Sequence, residues 1–357
     1  MASWRRRLLD LLLLAVMAAC SKPSAKPAAE ETSEAKPLIV RGQRVYVSNE
    51  DSNEISIIDS ATQAVVKTIF VGKRPRGIRL APDGKTLYVA LSGSPRAPPN
   101  ARDAAPPTPD RKADGIAAVD VATLAILRNL PSGQDPESFD LTPDGKLMYV
   151  SNEESAQASL LDLSAWKVVQ TIPLDEEPEG VTMKPAGDVV YVTSEAANKV
   201  FAIDTKTNKV IATIETGPRP RGVVFTPDGV LGYITEEQGA SITVVDAKEH
   251  KPRTQIKLEN AAARPMGAVV APDGKTVYVS TGRGSAVVYI DTADQKVIKV
   301  VDNVGVRPWG IGITPDGKTL YTANGPSNDV SVIDVASGRI VTRIKVGSLP
   351  WGIAVSR

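Results

Sequence analysis

The sequence has one cysteine, one histidine and few aromatic residues, and each scarcity excludes a class of site. Phe, Trp and Tyr make up 4% of the 357 residues. Cys20 is the only cysteine, so an intrachain disulfide is excluded, and without a Cys-x-x-Cys-His motif so is covalent c-type haem. His250 is the only histidine, so a zinc or haem centre lacks ligands. Glycine-rich phosphate loops are missing, because the Asp-Gly turns connect strands and open no helix.

Positive and negative side chains are present in nearly equal numbers. The formal net charge is +1, and removal of residues 1–19 takes away three arginines and one aspartate, which leaves about −1. A chain this close to neutral has no general attraction to nucleic acid or to an anionic membrane surface. We therefore expect no nucleic-acid partner.

The N-terminal segment predicts export and a lipid anchor. An apolar run over residues 8–19 follows three arginines and is too short to span a bilayer. Cys20 stands where a bacterial lipoprotein signal is cleaved and lipidated, although Met17 replaces the usual leucine. We predict a lipoprotein-type signal over 1–20, a flexible tether over 21–37, and a periplasmic protein whose lipid alone attaches it to a membrane, with the outer membrane favoured. Plain secretion with an incidental cysteine is the alternative.

One structural unit recurs seven times between residues 38 and 357. Each copy has a proline followed by a variable residue and usually glycine, then an apolar run, a turn such as Pro-Asp-Gly, a strand led by tyrosine, and a strand that ends in aspartate. The tyrosines lie about 42 residues apart in most copies; they are Tyr46, Tyr88, Tyr149, Tyr191, Tyr233, Tyr278 and Tyr321. This period, with four short strands per unit, predicts an all-β seven-bladed propeller of antiparallel strands.

The two ends of the repeat region predict how the ring closes. The chain enters at a second-strand motif and finishes, over residues 351–356, with a first-strand motif. The C-terminal strand should therefore complete the N-terminal blade and leave no free edge. Residues that are identical in all copies, such as the tyrosines and the strand-ending aspartates, are interpreted as structural, the aspartates as acceptors for their own turns.

Function should occupy positions where the copies differ, and they differ most around the prolines. The direction of the strands places these loops on one face, the mouth, together with the residues four positions after each tyrosine. In ring order the residues that flank the prolines are Leu349 and Trp351, Arg74 and Arg76, Asp135 and Glu137, Glu177 and Glu179, Arg219 and Arg221, Arg264 and Met266, Arg307 and Trp309. Two neighbouring repeats form an acidic sector of six carboxylates: Asp135, Glu137, Glu153, Glu177, Glu179 and Glu195.

The acidic residues of the mouth and its basic and aromatic residues each allow two hypotheses about what they bind. Clustered carboxylates suit a hard cation such as Ca²⁺, or they pair with arginines of neighbouring blades. The basic and aromatic residues are predicted to bind a small anionic ligand or an acidic surface of an envelope protein; they are Arg74, Arg76, Arg219, Arg221, Arg264, Arg307, Trp309 and Trp351.

One repeat contains an insertion over residues 92–114, rich in proline and alanine. Its position predicts that it rises from the mouth beside the acidic sector. Long loops without their own secondary structure are either functional or disordered. A lid or docking segment and a tolerated insertion therefore both remain open.

The repeats VYVSNEDSNEISIIDSAT, MYVSNEESAQASLLDLS, VYVTSEAANKVFAID and LYTANGPSNDVSVIDVASG resemble those of YVTN-family β-propeller proteins. RPRGI near the start and VGSLPWGIAV at the end resemble the branch associated with pyrroloquinoline-quinone-dependent catabolism. The resemblance implies a seven-bladed propeller and no defined catalytic activity. No copy is literally Tyr-Val-Thr-Asn, and the 92–114 insertion is extra to the family pattern.

The sequence favours a non-enzymatic propeller that binds a ligand or partner through its mouth, because no nucleophile and base pair is recognisable there. We therefore predict no catalytic residues. The alternative is a lactonase-like hydrolase in which mouth carboxylates and a divalent cation activate water. A divalent ion on Glu153, Glu179 and Glu195 with an open coordination position would favour the enzyme.

Overall fold

A computed structural model describes residues 40–96 and 108–357. In these ranges the chain forms seven four-stranded antiparallel sheets and a single short 3-10 turn. The predicted all-β seven-bladed propeller is confirmed. The predicted signal over 1–20, the lipidation of Cys20 and the tether over 21–37 lie outside the described residues, as does part of the insertion, residues 97–107. No helix of the described ranges is long and apolar enough to cross a membrane.

Each blade runs from an inner strand at the channel to an outer strand at the rim. Blade 1 contains β1 (Arg44–Asn49), β2 (Glu54–Asp59), β3 (Ala64–Phe70) and, innermost, β28 (Pro350–Val355). Blade 2 contains β4 (Pro75–Leu80), β5 (Thr86–Leu91), β6 (Gly115–Asp120) and β7 (Ile126–Leu130). Blade 3 contains β8 (Pro136–Leu141), β9 (Leu147–Asn152), a 3-10 turn (Glu153–Ser155), β10 (Gln157–Asp162) and β11 (Lys167–Pro173).

The other four blades follow the same order from the inner to the outer strand. Blade 4 contains β12 (Pro178–Met183), β13 (Val189–Ser194), β14 (Lys199–Asp204) and β15 (Lys209–Glu215). Blade 5 contains β16 (Pro220–Phe225), β17 (Leu231–Glu236), β18 (Ser241–Asp246) and β19 (Lys251–Lys257). Blade 6 contains β20 (Pro265–Val270), β21 (Thr276–Thr281), β22 (Ala286–Asp291) and β23 (Lys296–Val301). Blade 7 contains β24 (Pro308–Ile313), β25 (Thr319–Asn324), β26 (Asp329–Asp334) and β27 (Ile340–Lys345).

The ring closes as the two ends of the sequence predict. Strand β28 pairs antiparallel with β1, so the last strand of the chain becomes the inner strand of blade 1. The seven inner strands contact one another in a closed cycle around the channel. Closure removes the unpaired inner edge that a terminal blade would otherwise expose.

The core lies between adjacent sheets, and the repeated residues are structural there. Tyr191 is fully buried and meets Phe225 of the next blade edge to face, with ring centroids 4.9 Å apart. Its hydroxyl lies 2.7 Å from His250 Nδ1, on the face opposite the mouth. At the end of β14, Asp204 accepts hydrogen bonds from the N–H and the hydroxyl of Thr207, both at 2.7 Å. The predicted structural roles of the tyrosines and aspartates are confirmed.

Candidate functional site: the channel mouth

The residue after each repeat proline stands in a β-bulge at the channel mouth. In blade 4, Glu179 and Gly180 together oppose the single residue Thr193 of the next strand. A bulge interrupts the ladder and re-aims the side chain that it carries. The same irregularity recurs in every blade, and its seven side chains form the inner ring of the mouth: Trp351, Arg76, Glu137, Glu179, Arg221, Met266 and Trp309.

Hydroxyl side chains opposite the bulges hold this ring in place. Thr193 accepts a hydrogen bond from the N–H of Gly180 at 2.7 Å and donates one to the carbonyl of Arg221, in the next blade, at 3.1 Å. Each such hydroxyl ties the bulge of its own blade to the mouth residue of the neighbouring blade. Sequence reasoning missed this role, although the signal was available as Ser or Thr two positions after the tyrosine: Ser48, Ser151, Thr193, Thr235 and Ser280.

Glycine is needed where neighbouring inner strands approach closely. A Cβ at Gly180 would lie 2.1 Å from the carbonyl oxygen of Arg221, and one at Gly77 would lie 2.7 Å from that of Glu137. Real Cβ atoms cannot approach a backbone oxygen so closely. The lack of a Cβ at these glycines therefore lets adjacent inner strands approach closely, which brings the mouth side chains of neighbouring blades together.

A second ring of mouth residues lies four positions after each tyrosine. The N–H of Glu195 donates to the carbonyl of Glu177 at 2.9 Å, and the N–H of Glu153 donates to that of Asp135 at 3.0 Å. The residue before the proline has positive φ in all seven blades, for example 54° at Glu177, and its carbonyl is the acceptor in every blade except blade 2, where Lys73 accepts from Ser92. The predicted common face of the two loop sets is confirmed, because these bonds link them blade by blade.

Arg76 forms a buried ion-pair cluster between blades 2 and 3. Its side chain is 4% exposed and contacts the carboxylates of Asp135 and Glu137. Glu153 lies farther away, with 3.7 Å between its Oε2 and Arg76 Nη1, and its side chain is 29% exposed. Asp135 and Glu137 are buried against Arg76, whereas Glu153 is the most exposed of the three carboxylates.

Arg221 forms a second cluster between blades 4 and 5. It contacts the carboxylates of Glu179 and Glu195, and its Nε lies 2.8 Å from Glu237. Arg219, which is 38% exposed, shares two of these partners, with 2.8 Å to Glu195 and 3.1 Å to Glu237. The Arg–Glu pairing between blades that the sequence allowed is thus present in the structure, and Arg74 adds a further pair with Glu50 at 2.7 Å.

The protonation states of the acidic sector diverge. Burial raises the pKa of Glu153 to about 7, and the carboxylates of Glu179 and Asp135 reinforce the rise while Arg76 opposes it. Burial and the Glu179 carboxylate also raise the pKa of Glu195, whereas Arg221 overcomes burial and lowers the pKa of Glu179. Two carboxylates in one site cannot both ionise freely, and the guanidinium of Arg221 favours the charged form of Glu179.

The opposite part of the mouth is cationic and aromatic. Blades 6 and 7 carry Gly282 and Gly325 where the acidic blades carry glutamates. Within the described ranges, no carboxylate pairs with Arg264 or Arg307, and the guanidinium of Arg307 lies 5.2 Å from the ring centroid of Trp309. Burial is the main cause that lowers the pKa of Arg307, and the nearby cation Arg283 adds to the effect.

Trp309 supplies an unused donor to this cationic part. Its indole Nε1 is buried and has no hydrogen-bond partner in the part of the chain that the structure describes. Buried donors are normally satisfied, so an unsatisfied one beside surplus positive charge suits a ligand that brings an acceptor. We define the cationic face as Arg264, Arg307, Trp309 and Trp351.

The calcium hypothesis for the acidic sector stays a prediction. Across residues 40–96 and 108–357, no three side chains of His, Cys, Asp and Glu are grouped so that they could hold a metal ion. The nearest neighbours of the carboxylates are instead arginines. We expect chelation of a purified sample with EDTA to leave the thermal unfolding midpoint unchanged, because guanidinium groups already pair with all of these carboxylates except Glu177. A midpoint that falls with EDTA and recovers with Ca²⁺, but not with Na⁺ at equal ionic strength, would restore the cation site.

The fold and the mouth define a closed seven-bladed propeller with a carboxylate sector and a facing cationic face at one end of its channel. The chain belongs to the Lactonase, 7-bladed beta-propeller family, whose model matches residues 40–168 and 180–350.

Solved structures share this architecture. The periplasmic gluconolactonase of Pseudomonas aeruginosa superposes with a TM-score of 0.72 at 18% identity, covering 88% of this chain and 99% of that one. A Bacteroides fragilis protein assigned as a 6-phosphogluconolactonase superposes with a TM-score of 0.72 at 16% identity, covering 90% of this chain and 100% of that one. At these identities the likeness shows the fold alone.

A curated relative matches in a shorter segment. Antigen Lp49 of Leptospira interrogans is 30% identical over 114 residues, which is 30% of this chain. The match spans 23% of the length of that relative.

The family overturns the functional interpretation favoured by the sequence. The prediction of a non-enzymatic binding propeller is wrong, as is the prediction that the protein is not an enzyme, because the matching family is one of lactonases. The prediction rested on the absence of a nucleophile paired with a base. Hydrolysis by activated water needs only one suitable base, and a glutamate acquires that property from its tertiary surroundings.

Proposed function

We propose that the protein hydrolyses the ester bond of a lactone that carries an anionic group, with the channel mouth as its active site. Membership of the lactonase family supports the reaction class. The observation that carries the assignment is Glu153, a partly exposed carboxylate at the mouth whose pKa is about 7. A general base works best when its pKa lies near the working pH.

Glu153 is the group best placed to activate water. As water attacks the lactone carbonyl carbon, a new C–O bond forms and Glu153 accepts the proton that the water loses. The ring C–O bond then breaks, and the departing ring oxygen takes the proton from Glu153 to become a hydroxyl group. The product is an open hydroxy acid, whose carboxyl group releases its proton to solvent.

The arginines of the acidic side serve this reaction in different ways. Arg76 is buried and paired, so it holds the carboxylates around Glu153 in place. Arg219 is the more exposed guanidinium of the second cluster and can face the negative charge that develops on the carbonyl oxygen. Glu195 is almost fully buried and pairs with Arg219, so it supports that guanidinium, while Glu179 pairs with the neighbouring Arg221.

The cationic face selects the substrate. Surplus positive charge at Arg264 and Arg307 favours an anionic substituent, and Trp309 offers an indole donor and an apolar ring. The names of the structural neighbours include a gluconolactonase and a 6-phosphogluconolactonase, so a sugar lactone with or without phosphate is the natural pair of probes.

The test is an assay of ring opening with gluconolactone and 6-phosphogluconolactone. We expect the wild-type protein to open the phosphorylated lactone with the lower KM. The Arg307→Met substitution should raise that KM about tenfold or more, because a charge-assisted contact is lost, and should leave KM for the neutral lactone unchanged. Equal effects on both lactones would contradict recognition of the anion. Failure of the wild-type protein to open any lactone would contradict the function.

The cell envelope is the proposed place of action. Support comes from the basic and apolar segment that ends at Cys20, which is typical of a lipoprotein signal. We also keep, as a proposal, the relation of the repeats to the YVTN family and its pyrroloquinoline-quinone-associated branch, for which the motif resemblance is the support.

A further inference from the structure

The two described ends of the insertion are joined at the mouth. Asp110 N–H donates to the carbonyl of Gly93 at 2.9 Å, and Gly93 N–H donates to the carboxylate of Asp114 at 2.7 Å. The side chain of Asp114 is 3% exposed, and its Oδ2 also accepts a hydrogen bond from Nη1 of Arg111 at 3.3 Å. We call residues 92–96 and 108–114 the insertion stems. A buried carboxylate at their junction gives them a defined relative position.

The stems extend from blade 2 to the 3-10 turn of blade 3. The hydroxyl of Ser94 donates to Glu154 Oε1 at 2.5 Å, and Nη2 of Arg111 contacts Glu154 Oε2. Arg111 also donates to the hydroxyl of Ser94 at 3.0 Å, so both oxygens of one carboxylate are held by one connected pair of donors. This pair and its acceptor form a bidentate clamp on Glu154.

The clamp acts one residue away from Glu153. Its 3-10 turn spans only three residues, and the residue after it, Ala156, has φ of 50° in the left-handed region. The backbone of Glu153 is bonded to Asp135. The side chain of Asn152, just before the turn, makes no capping hydrogen bond to it. Glu153 also reaches Arg76 of blade 2, but at 3.7 Å. Among the described residues, the side-chain hydrogen bonds that link the turn to blade 2 are those that Glu154 makes with the stems.

We propose that Arg111 and Ser94 are positioning residues for the hydrolase, which hold Glu153 at the channel mouth by clamping Glu154. The clamp is particular to blades 2 and 3, because the insertion interrupts only one of the seven repeats. The inference rests on the proposed role of Glu153 as the base. The proposal assigns a function to the insertion stems alone.

The test compares Arg111→Gln with Arg111→Lys and with Lys73→Gln. Lys73 pairs with Asp110 of the same stem at 2.6 Å, is 56% exposed and lies outside the clamp, which makes it the matched control. One readout is backbone hydrogen–deuterium exchange in residues 151–157, which needs no substrate. The other is the pH dependence of kcat and KM with 6-phosphogluconolactone.

We expect Arg111→Gln to speed exchange in residues 151–157 about tenfold, in keeping with the loss of a charged hydrogen bond. The same variant should lower kcat about tenfold with little change in KM, and should move the midpoint of the pH profile below that of the wild type, because a loosened turn lets water reach Glu153. Arg111→Lys should restore part of both losses. Lys73→Gln should behave as the wild type.

Two results would overturn the clamp. Unchanged exchange in Arg111→Gln would show that the stems do not hold the turn. Faster exchange with unchanged kcat and pH profile would show that they hold it without positioning the base. A wild-type protein that opens no lactone would instead refute the proposed function and with it the catalytic part of the clamp, while exchange would still decide whether the stems hold the turn.

Discussion

Replacement of Glu153 by glutamine should lower kcat for lactone opening about 10²- to 10⁴-fold, the range that general-base catalysis contributes. Glutamine keeps the shape of the side chain but cannot accept the proton of the attacking water. For the wild-type protein, kcat/KM should rise with pH up to about 7 and then level off, because Glu153 acts only when deprotonated and its pKa is about 7. The variant should show a low and flat profile.

The stability of this variant separates loss of chemistry from loss of fold. The pKa of Glu153 is higher in the folded protein than its ordinary value of 4.5, so the folded state binds a proton that the unfolded state releases between these pH values. Wild-type stability therefore falls as pH rises through that window, and glutamine removes the penalty. We expect the thermal midpoint of Glu153→Gln at pH 7.5 to equal or exceed that of the wild type.

Glu177→Gln is the matched control for Glu153→Gln. Glu177 is an exposed carboxylate of the same sector and makes none of the ion pairs seen in the described residues. Its charge contributes to the raised pKa of Glu153, so its removal should shift the pH profile slightly toward acid and leave most of kcat. A loss of kcat in Glu177→Gln as large as that in Glu153→Gln would contradict the assignment of the base.

Replacement of Arg221 by methionine should destabilise the protein by about 3 to 5 kcal/mol, the cost of leaving buried charges without their partner. Arg221 compensates Glu179, Glu195 and Glu237, and its side chain is 19% exposed. Methionine fills part of the volume and removes the charge. Chemical denaturation with the midpoint and slope both recorded will measure the change.

Arg219→Met is the comparison for this prediction. Arg219 reaches two of the same carboxylates but is 38% exposed, so water can replace much of its effect and the loss should be about 1 kcal/mol or less. Similar losses in both variants would show that burial does not decide how much each arginine contributes to stability.

Low pH should remove part of the contribution that the Arg221 cluster makes to stability. The pKa of Glu179 is lowered below its ordinary value of 4.5, so its contribution to stability is complete above that pH and is lost as pH falls toward the folded-state pKa. Arg221→Met removes the main cause of the lowered pKa. The difference in stability between the wild type and Arg221→Met should therefore shrink as pH falls below about 4.5.

Much of the fold could be predicted because each blade repeats the same local signals. Turn residues, the tyrosine strand and the terminal aspartate recur along the chain, and hydrogen bonds such as those of Asp204 join residues two or three positions apart. The closure of blade 1 by β28 followed from the order of motifs at the two ends. The identity of the mouth residues followed from strand direction alone.

The candidate site was predicted as a set of residues but not as a reactive arrangement. Arg76 meets Glu137, 61 positions later, and Asp135, 59 positions later. Whether such residues pair, bind a cation or face the channel depends on distances between blades. The contact between Arg111 and Glu154 could not be predicted from the repeat pattern, because Arg111 lies in the insertion, which is not part of the repeat.

The sequence by itself determined the number of blades, the closure of the ring and the face on which the copies differ most, because these depend on short-range patterns repeated seven times. Only the tertiary structure decided which carboxylates pair with arginine, which carboxylate has its pKa raised to about 7, and which arginines have no carboxylate partner. The physical reason is that a pKa reflects burial together with every nearby charge, and in the mouth both are contributed by several blades at once.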